Sequence, residues 1–440
     1  MNIMIAGAGT VGYSLAKTLS QKHNIIVVDK TRQTLNRLEE SIDILTLHGN
    51  IEDPKTFQAL HIEILDLFIA VTDSDEANLL STLIIDDVIK VEKKIIRLKN
   101  AYFSKSTVLE KLAINDAVFP DDLTAEKFEL LFEHVKANNV KTFRQTSHQL
   151  ISLKVACDDT QERRVADLSS QDMVVLGIER DKSYFVPSPT EKIQNDDLLY
   201  FFGKSKVIET LSFSLNRKMP SKVKKVAIFG ANPLAQKIAK ILLSKDLDIK
   251  MIDKNMEYCK NASECLEGKV TIINSAYEEH HLFEDEGLKN ADMIIAAGSD
   301  DEKNIVKCIE AREYGIEKVV AVNNDKAYYS LMHQLGIVVV RGSKIGAYYA
   351  ILEKIASSAV VTERHFCGGQ AVLFMRKIDQ DSALIGKILK GSSVHGLIRL
   401  IRKESILEAD QDQRMEEGDI IMVSDNVKEE EKIQKWIVTL

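Results

Sequence analysis

The 440-residue sequence predicts an α/β protein, with two tandem doubly wound parallel-sheet lobes each followed by a small α+β lobe. Three observations lead there. Short apolar runs alternate with helical patterns from the first residues onward. The first run feeds into Gly7-Ala8-Gly9-Thr10-Val11-Gly12, a glycine turn between a strand and a helix. The whole pattern then recurs about 224 residues later. Gly7 returns as Gly230, Asp29 as Asp253, and Asp197 as Asp419; AVTDSDEANL from Ala70 returns as AAGSDDEKNI from Ala296. A near-constant offset across four landmarks means a duplicated domain pair.

In the first lobe the strand candidates are Ile3–Ala6, Ile25–Val28, Ile44–Leu47, Leu67–Val71 and Ile95–Leu98. Helices begin near Val11, Thr31, Pro54 and Asp75, the last running over about Glu76–Val88, and one more lies at about Ser104–Leu112. Strand–helix alternation of this kind builds a Rossmann-like parallel sheet covered on both faces. A helix over Leu123–Asn138 follows, with an apolar stripe at Leu123, Phe128, Leu131, Phe132 and Val135. That stripe packs either on its own small lobe or on a second subunit. The expected domains are 1–140, 141–216, 222–358 and 359–440. The linker Arg217–Lys225 is basic, carries Pro220 and is expected to be exposed.

The glycine turn carries the chemistry. Gly7 permits the tight turn, Gly9 lets backbone approach a pyrophosphate, and Gly12 lets the helix pack on the sheet. The helix N-terminus offers unpaired N–H groups and a partial positive charge to the phosphates. Asp29 ends the next strand, where a carboxylate accepts ribose hydroxyls and repels a 2′-phosphate. NAD or an adenosine nucleotide is therefore expected over NADP, although Lys30 and Arg32 soften that preference. Arg97 and Lys99 leave the fifth strand at its carboxyl end, where they meet terminal phosphates or act as ordinary surface charge. In the second half the turn reads Gly230-Ala231-Asn232-Pro233-Leu234-Ala235. Asn tolerates unusual backbone angles, and Asp253 keeps a ribose contact available. That copy is either a ligand site or a structural relic.

Composition narrows the function. A net charge of -8 argues against nucleic acid, which needs a basic face. No run approaches the roughly 18 apolar residues of a membrane span. Five cysteines without a C-x-x-C read as reduced thiols of a cytoplasmic protein. Glu278–Glu286, EEHHLFEDE, has a metal-like composition, but adjacent histidines point apart on a helix or strand. It reads as a solvated acidic helix, and no metal site is expected.

GAGTVG, then VVD, AVTDSDEAN and IIRLKNAY, followed by a strand-rich lobe, resembles the RCK (KTN) module. Two modules in tandem resemble the regulatory subunits of Trk-type potassium uptake systems, the TrkA family. The resemblance implies a non-enzymatic gating subunit, bound peripherally to the inner face of the membrane beneath a TrkH-like potassium channel subunit. It implies NAD(H), or alternatively ATP or ADP, as ligand. It places Gly7, Gly9 and Gly12 on the phosphates, with Ala8, Thr10 and Val11 as further cofactor-binding positions of the same turn, Asp29 on the ribose and Asn50 near the adenine. Thr72 and Asp73 would line the pocket edge, with Arg97 and Lys99 at distal phosphates and Asp253 in the second copy. A homotetrameric ring is expected, paired through the helices at Glu76–Val88 and Ser104–Leu112 with Leu123–Asn138 as an arm. The alternative is an NAD-dependent oxidoreductase on the duplicated fold.

Overall fold

Burial on both faces explains why the strands of the first sheet read as continuous apolar runs. The computed structural model describes all residues except 61, 144, 157–162, 277–280, 357–360, 390–393, 395 and 410–412. By their contacts, Met1–Ala125 with Arg341–Ala356 form one unit, and Glu126–Val340 with Ser357–Leu440 form the other.

The first unit holds β1 (Asn2–Ala6), α1 (Thr10–Leu19), β2 (Asn24–Asp29), α2 (Arg32–Glu39), β3 (Leu45–His48) and α3 (Pro54–Gln58). These are followed by β4 (Ile64–Ala70), α4 (Asp75–Val88), β5 (Lys90–Arg97), α5 (Val108–Lys111) and β6 (Asp116–Val118). Helix α6 (Pro120–Glu133) then passes out of this unit after Ala125. The sheet is parallel in the order β3-β2-β1-β4-β5-β6. Strand order reverses between β1 and β4, the place where such sheets open a ligand crevice. The sixth strand was not anticipated; at three residues it is too short to show a period. The stretch expected to be helical at Ser104–Leu112 is a 3₁₀ turn at Ala101–Lys105 followed by the single turn of α5.

One face of this sheet is covered in part by residues from far along the chain. The helix Ser343–Ala356 contributes Ala347, Tyr348 and Ile351 to the core around Leu15, Leu19 and Val27. Tyr348 and Thr18 share a 2.8 Å hydroxyl contact, and Lys354 Nζ lies 2.7 Å from Asp116.

The second unit contains both small lobes and the second parallel sheet. The first small lobe has β7 (Ala137–Thr142), β8 (Gln149–Lys154), β9 (Met173–Arg180), β10 (Ser183–Phe185) and β11 (Leu198–Gly203), in the antiparallel order β10-β9-β11-β8-β7. The second sheet comprises β12 (Lys225–Phe229), β13 (Asp248–Asp253), β14 (Thr271–Asn274), β15 (Met293–Ala296), β16 (Lys318–Asn323) and β17 (Val338–Arg341). Its order, β14-β13-β12-β15-β16-β17, repeats that of the first sheet. The second small lobe has β18 (Val361–Phe366), β19 (Ala371–Lys377), β20 (Leu397–Arg402), β21 (Ser405–Glu408) and β22 (Ile420–Asn426), ordered β18-β19-β22-β20-β21. The two small lobes share one core, in which Leu150, Tyr184 and Phe202 meet Phe366, Leu373 and Met422.

Two expectations change here. The helix placed over Leu123–Asn138 starts earlier and stops at Glu133, because the apolar spacing runs on into β7. Of its stripe, Phe128 and Leu131 are buried within the chain. The linker is less exposed than its basic composition suggested. Met219 and Val223 are buried, and Lys136 Nζ donates to the carbonyls of Asn216 and Met219 at 2.6 and 2.8 Å.

Lys318, at the start of β16, is fully buried and donates to the Ala137 carbonyl at 2.7 Å. Burial, with repulsion from Lys136, brings its pKa down to about 7. Between that value and the ordinary lysine range the unfolded chain binds the extra proton, so stability from this group rises with pH across that window. Below it, both states are charged and the full burial cost stands. Lys318→Met is therefore expected to raise the unfolding temperature more at pH 6 than at pH 10. An equal gain at both would show that Lys318 is not the group responsible.

Candidate functional site

The site is built on the turn from β1 to α1. Gly7 has φ +108°, a conformation open to glycine, and an added Cβ there would meet Thr72 at 3.1 Å. A Cβ on Gly12 would lie 1.8 Å from the Gly7 carbonyl oxygen, so Gly12 serves close packing. A Cβ on Gly9 would meet nothing within 4 Å; the space beside it is open. No side chain caps the start of α1 at Gly9, so its first-turn N–H groups face that space without a side-chain partner.

Asp29, at the end of β2, accepts from the Ala8 and Thr31 N–H groups at 2.6 and 2.7 Å, which fixes its carboxylate beside the turn. Across the switch point, Asn78 of α4 ties the ends of β4 and β5 together. It accepts from Thr72 N at 3.0 Å and donates to the Arg97 carbonyl at 2.9 Å. Asp75 accepts from the N–H groups of Lys99 and Asn100, both at 2.8 Å. These two residues of AVTDSDEAN hold the rim and do not themselves line the cleft.

The result is a cleft of about 640 Å³, within the range of small-molecule sites. Of the residues singled out from sequence, Gly7, Gly9, Thr10, Val11, Asp29, Asn50, Thr72, Asp73 and Arg97 line it together. Ala8 and Gly12 belong to the same turn but do not line the cleft. Lys99 sits at the rim and donates to the Asp73 carbonyl at 2.6 Å. Asp253 lies in the other unit, at the matching place in the second sheet. Sequence reading missed Lys344, which also lines the cleft, from the helix Ser343–Ala356.

The distal end is strongly charged. Arg97 is buried, and its Nη1 donates to Asp73 at 2.9 Å. Partial desolvation by neighbouring atoms pushes the exposed Asp73 carboxyl up, but the hydrogen bond and charge of Arg97, with help from Lys99 and Lys344, outweigh it and hold the group below the usual carboxylate range. The buried Arg97 Nε has no partner among the described residues. These features fit a nucleotide: backbone N–H groups for a pyrophosphate, a carboxylate for a ribose, and cations for an outer phosphate.

Residues 3–120 and 226–341 match the model of the TrkA-N domain, over half of the chain in all, and residues 162–213 match that of the TrkA-C domain. The chain belongs to the TrkA-N family. A "Trk system potassium uptake protein TrkA homolog" of Archaeoglobus fulgidus is 27% identical, covering 99% of each chain. A "Trk system potassium uptake protein TrkA" of Halomonas elongata is 26% identical, covering 96% of this chain and 95% of that one. Among solved structures, the "GsuK RCK domain" superposes with a TM-score of 0.65 at 17% identity, covering 100% of this chain and 95% of that one. The "GsuK channel bound to NAD" gives 0.62 at 16%, covering 100% and 79%. At these identities the structural likeness establishes the fold.

The second TrkA-N domain keeps the frame and loses the opening. Asn304 accepts from Gly298 N and donates to the Val322 carbonyl, both at 3.0 Å, as Asn78 does in the first. Asp253 accepts from Ala231 N and Asn255 N at 2.7 and 2.9 Å, as Asp29 does at its own turn. Asn232 needs no unusual backbone, because its φ is -65°, the same as at Gly9. Its carboxamide caps the helix by accepting from Ala235 N at 3.0 Å, and donates to the Ala297 carbonyl at 2.7 Å. The helix start that is open in the first domain is thus occupied by a side chain in the second. The run Glu278–Glu286 lies partly outside the described residues; its Leu282–Asp285 portion is a single helical turn.

Proposed function

We propose that this chain is a non-enzymatic, nucleotide-binding regulatory subunit of a Trk-type potassium uptake system, with one adenine-nucleotide site per chain in the first TrkA-N domain. The observation that carries this reading is the contrast between the open, uncapped turn at Gly9 and the self-capped turn at Asn232. The names of the relatives support the potassium role, and GsuK structures are titled as bound to NAD and to ADP. NAD(H), ATP and ADP share the adenosine diphosphate portion that the turn and Asp29 are shaped to hold. Asp253 retains the ribose-binding position but is read as structural.

Such a subunit works at the inner face of the membrane, against a TrkH-like channel subunit. Among the described residues no helix is long and apolar enough to cross a membrane. A homotetrameric ring is the expected assembly. Leu80 and Leu83 of α4, and Val306 on the matching helix Asp301–Glu313, expose apolar side chains for such pairing. Nucleotide shifts the ring by binding one arrangement more tightly than another.

The test is calorimetry on the full chain. NADH and ATP should compete for one site. Asp29→Ala should weaken both by at least about tenfold, the worth of one hydrogen bond to a charged group. Asp29→Asn, which keeps one of the two acceptor oxygens that Ala8 N and Thr31 N use, should weaken both less than Asp29→Ala. Unchanged affinity in both variants would remove the assignment, and NADH turnover with a substrate would favour the oxidoreductase.

A further inference from the structure

We propose that Asp73 is a built-in counter-anion that a ligand's terminal phosphate displaces from a cluster of three cations, Arg97, Lys99 and Lys344. The third of these comes from the second half of the chain. The inference rests on reading the cleft as a nucleotide site.

The geometry is asymmetric. The Arg97 side chain is 8% exposed while that of Asp73 is 84% exposed, so the anion lies on the open side of a buried cation. Their pairing uses one guanidinium nitrogen on one carboxylate oxygen, without the fork that makes such pairs strong. Arg97 Nε remains without a partner among the described residues. Lys99 Nζ stands 3.8 Å from the same Asp73 oxygen. Lys344 lines the same cleft, and the residues following it on its helix are embedded in the first domain's core, which fixes its position. Of two further acids beside the rim, Asp75 accepts from two backbone N–H groups and Glu76 from the Ser74 hydroxyl at 2.8 Å, and Glu76 also feels the charge of Lys99.

Three cations gather at the distal end of the cleft around the Asp73 carboxylate, which favours a second anion there. A terminal phosphate carries more charge and more acceptor oxygens than Asp73. The displaced carboxylate, already largely in water, gives up little on leaving.

The second domain supports a joint role, because every member of the set differs there. Asp73 corresponds to Ser299, Arg97 to Val322 and Lys99 to Asn324. Lys344 is the second residue of its helix, and the second residue of α6 is Asp121. ATP and NADH would then bind two states of one site. ATP displaces Asp73 and engages Lys344, drawing on the second half of the chain. NADH, without a terminal phosphate, leaves Asp73 seated.

Calorimetry on the full chain with ATP, ADP and NADH tests this. Lys344→Gln should weaken ATP about tenfold, ADP less, and NADH hardly at all, with Lys344→Arg restoring ATP. Asp73→Asn should tighten ATP about fivefold relative to NADH by removing the competing anion. NADH binding serves as the control for a folded site in each variant. If the native chain binds both nucleotides and the variants keep its ATP-to-NADH ratio, or Asp73→Asn weakens ATP, this inference falls alone. If the native chain binds neither, the nucleotide reading falls and takes this with it.

Discussion

Gly9→Asn should cost the first TrkA-N domain its nucleotide, weakening NADH and ATP by about a hundredfold or more, with the fold intact. The second domain shows why. Gly9 and Asn232 have nearly the same backbone, φ/ψ of -65°/-172° and -65°/169°. Asparagine therefore enters without strain, and an added Cβ meets nothing within 4 Å. Its carboxamide can then do what it does at Asn232: accept from the N–H that opens the helix and donate to the carbonyl at the end of the fourth strand. The partners at the first turn are Gly12 N and the Val71 carbonyl, matching Ala235 N and the Ala297 carbonyl. The space for a pyrophosphate is filled, and a donor meant for it is taken. Loss of even two charge-assisted hydrogen bonds, at about 1.5–3 kcal/mol each, exceeds a hundredfold. The new cap should also stabilise α1 by about 0.5–2 kcal/mol, so the unfolding temperature should hold or rise. Binding within a few-fold of the native chain would mean that the phosphates do not pass Gly9. The reverse change, Asn232→Gly, should not create a site, because Val322 and Asn324 stand where Arg97 and Lys99 supply charge.

Much of this arrangement was legible because it depends on local pattern. Strands buried on both faces leave apolar runs, and the turn at Gly7 and the carboxylate of Asp29 sit at fixed distances along one βαβ unit. The repeat at Asp197 and Asp419 was legible for the same reason. What was hidden depends on chain return. Lys344 reaches the cleft because its helix packs on the first domain, and nothing near Lys344 in sequence says which sheet its apolar face covers. Asn232 was legible as a departure from the glycine pattern. Its effect was not, because capping Ala235 and reaching Ala297 requires the fourth strand of the sheet to be in place. Asp75 and Asn78 drew attention as part of a motif, and the structure assigns them to the frame that holds Thr72, Arg97 and Lys99.

Asp419→Ala and Asp197→Ala should each destabilise the small lobe that carries them by about 2–4 kcal/mol. Both carboxylates are almost wholly buried, at 1% exposure. Each receives a two-pronged guanidinium: Arg402 at 2.9 and 2.7 Å, and Arg180 at 2.8 and 2.9 Å. Each also accepts a backbone N–H at 2.8 Å, from Glu416 and Gln194 respectively. The arginines further tie down a loop, donating to the carbonyls of Arg414 and Lys192. Removing the acid strands a guanidinium and an amide in a site built for an anion, which is the costly way to break a buried pair. The arginine side chains are about one-fifth exposed, and Glu416 and Glu191 remain as second partners, so the loss should fall short of a fully enclosed pair. Replacing both partners together, as Arg402→Leu with Asp419→Leu, should cost less than Asp419→Ala alone. Because a chain of several domains need not unfold in one step, the measurement is amide exchange in Ile420–Asn426 and Leu198–Gly203. Faster exchange, largest in the lobe carrying the substitution, is the expected result. Equal exchange in native and Asp419→Ala chains, or a double replacement worse than the single, would show that the pair does not hold the lobe.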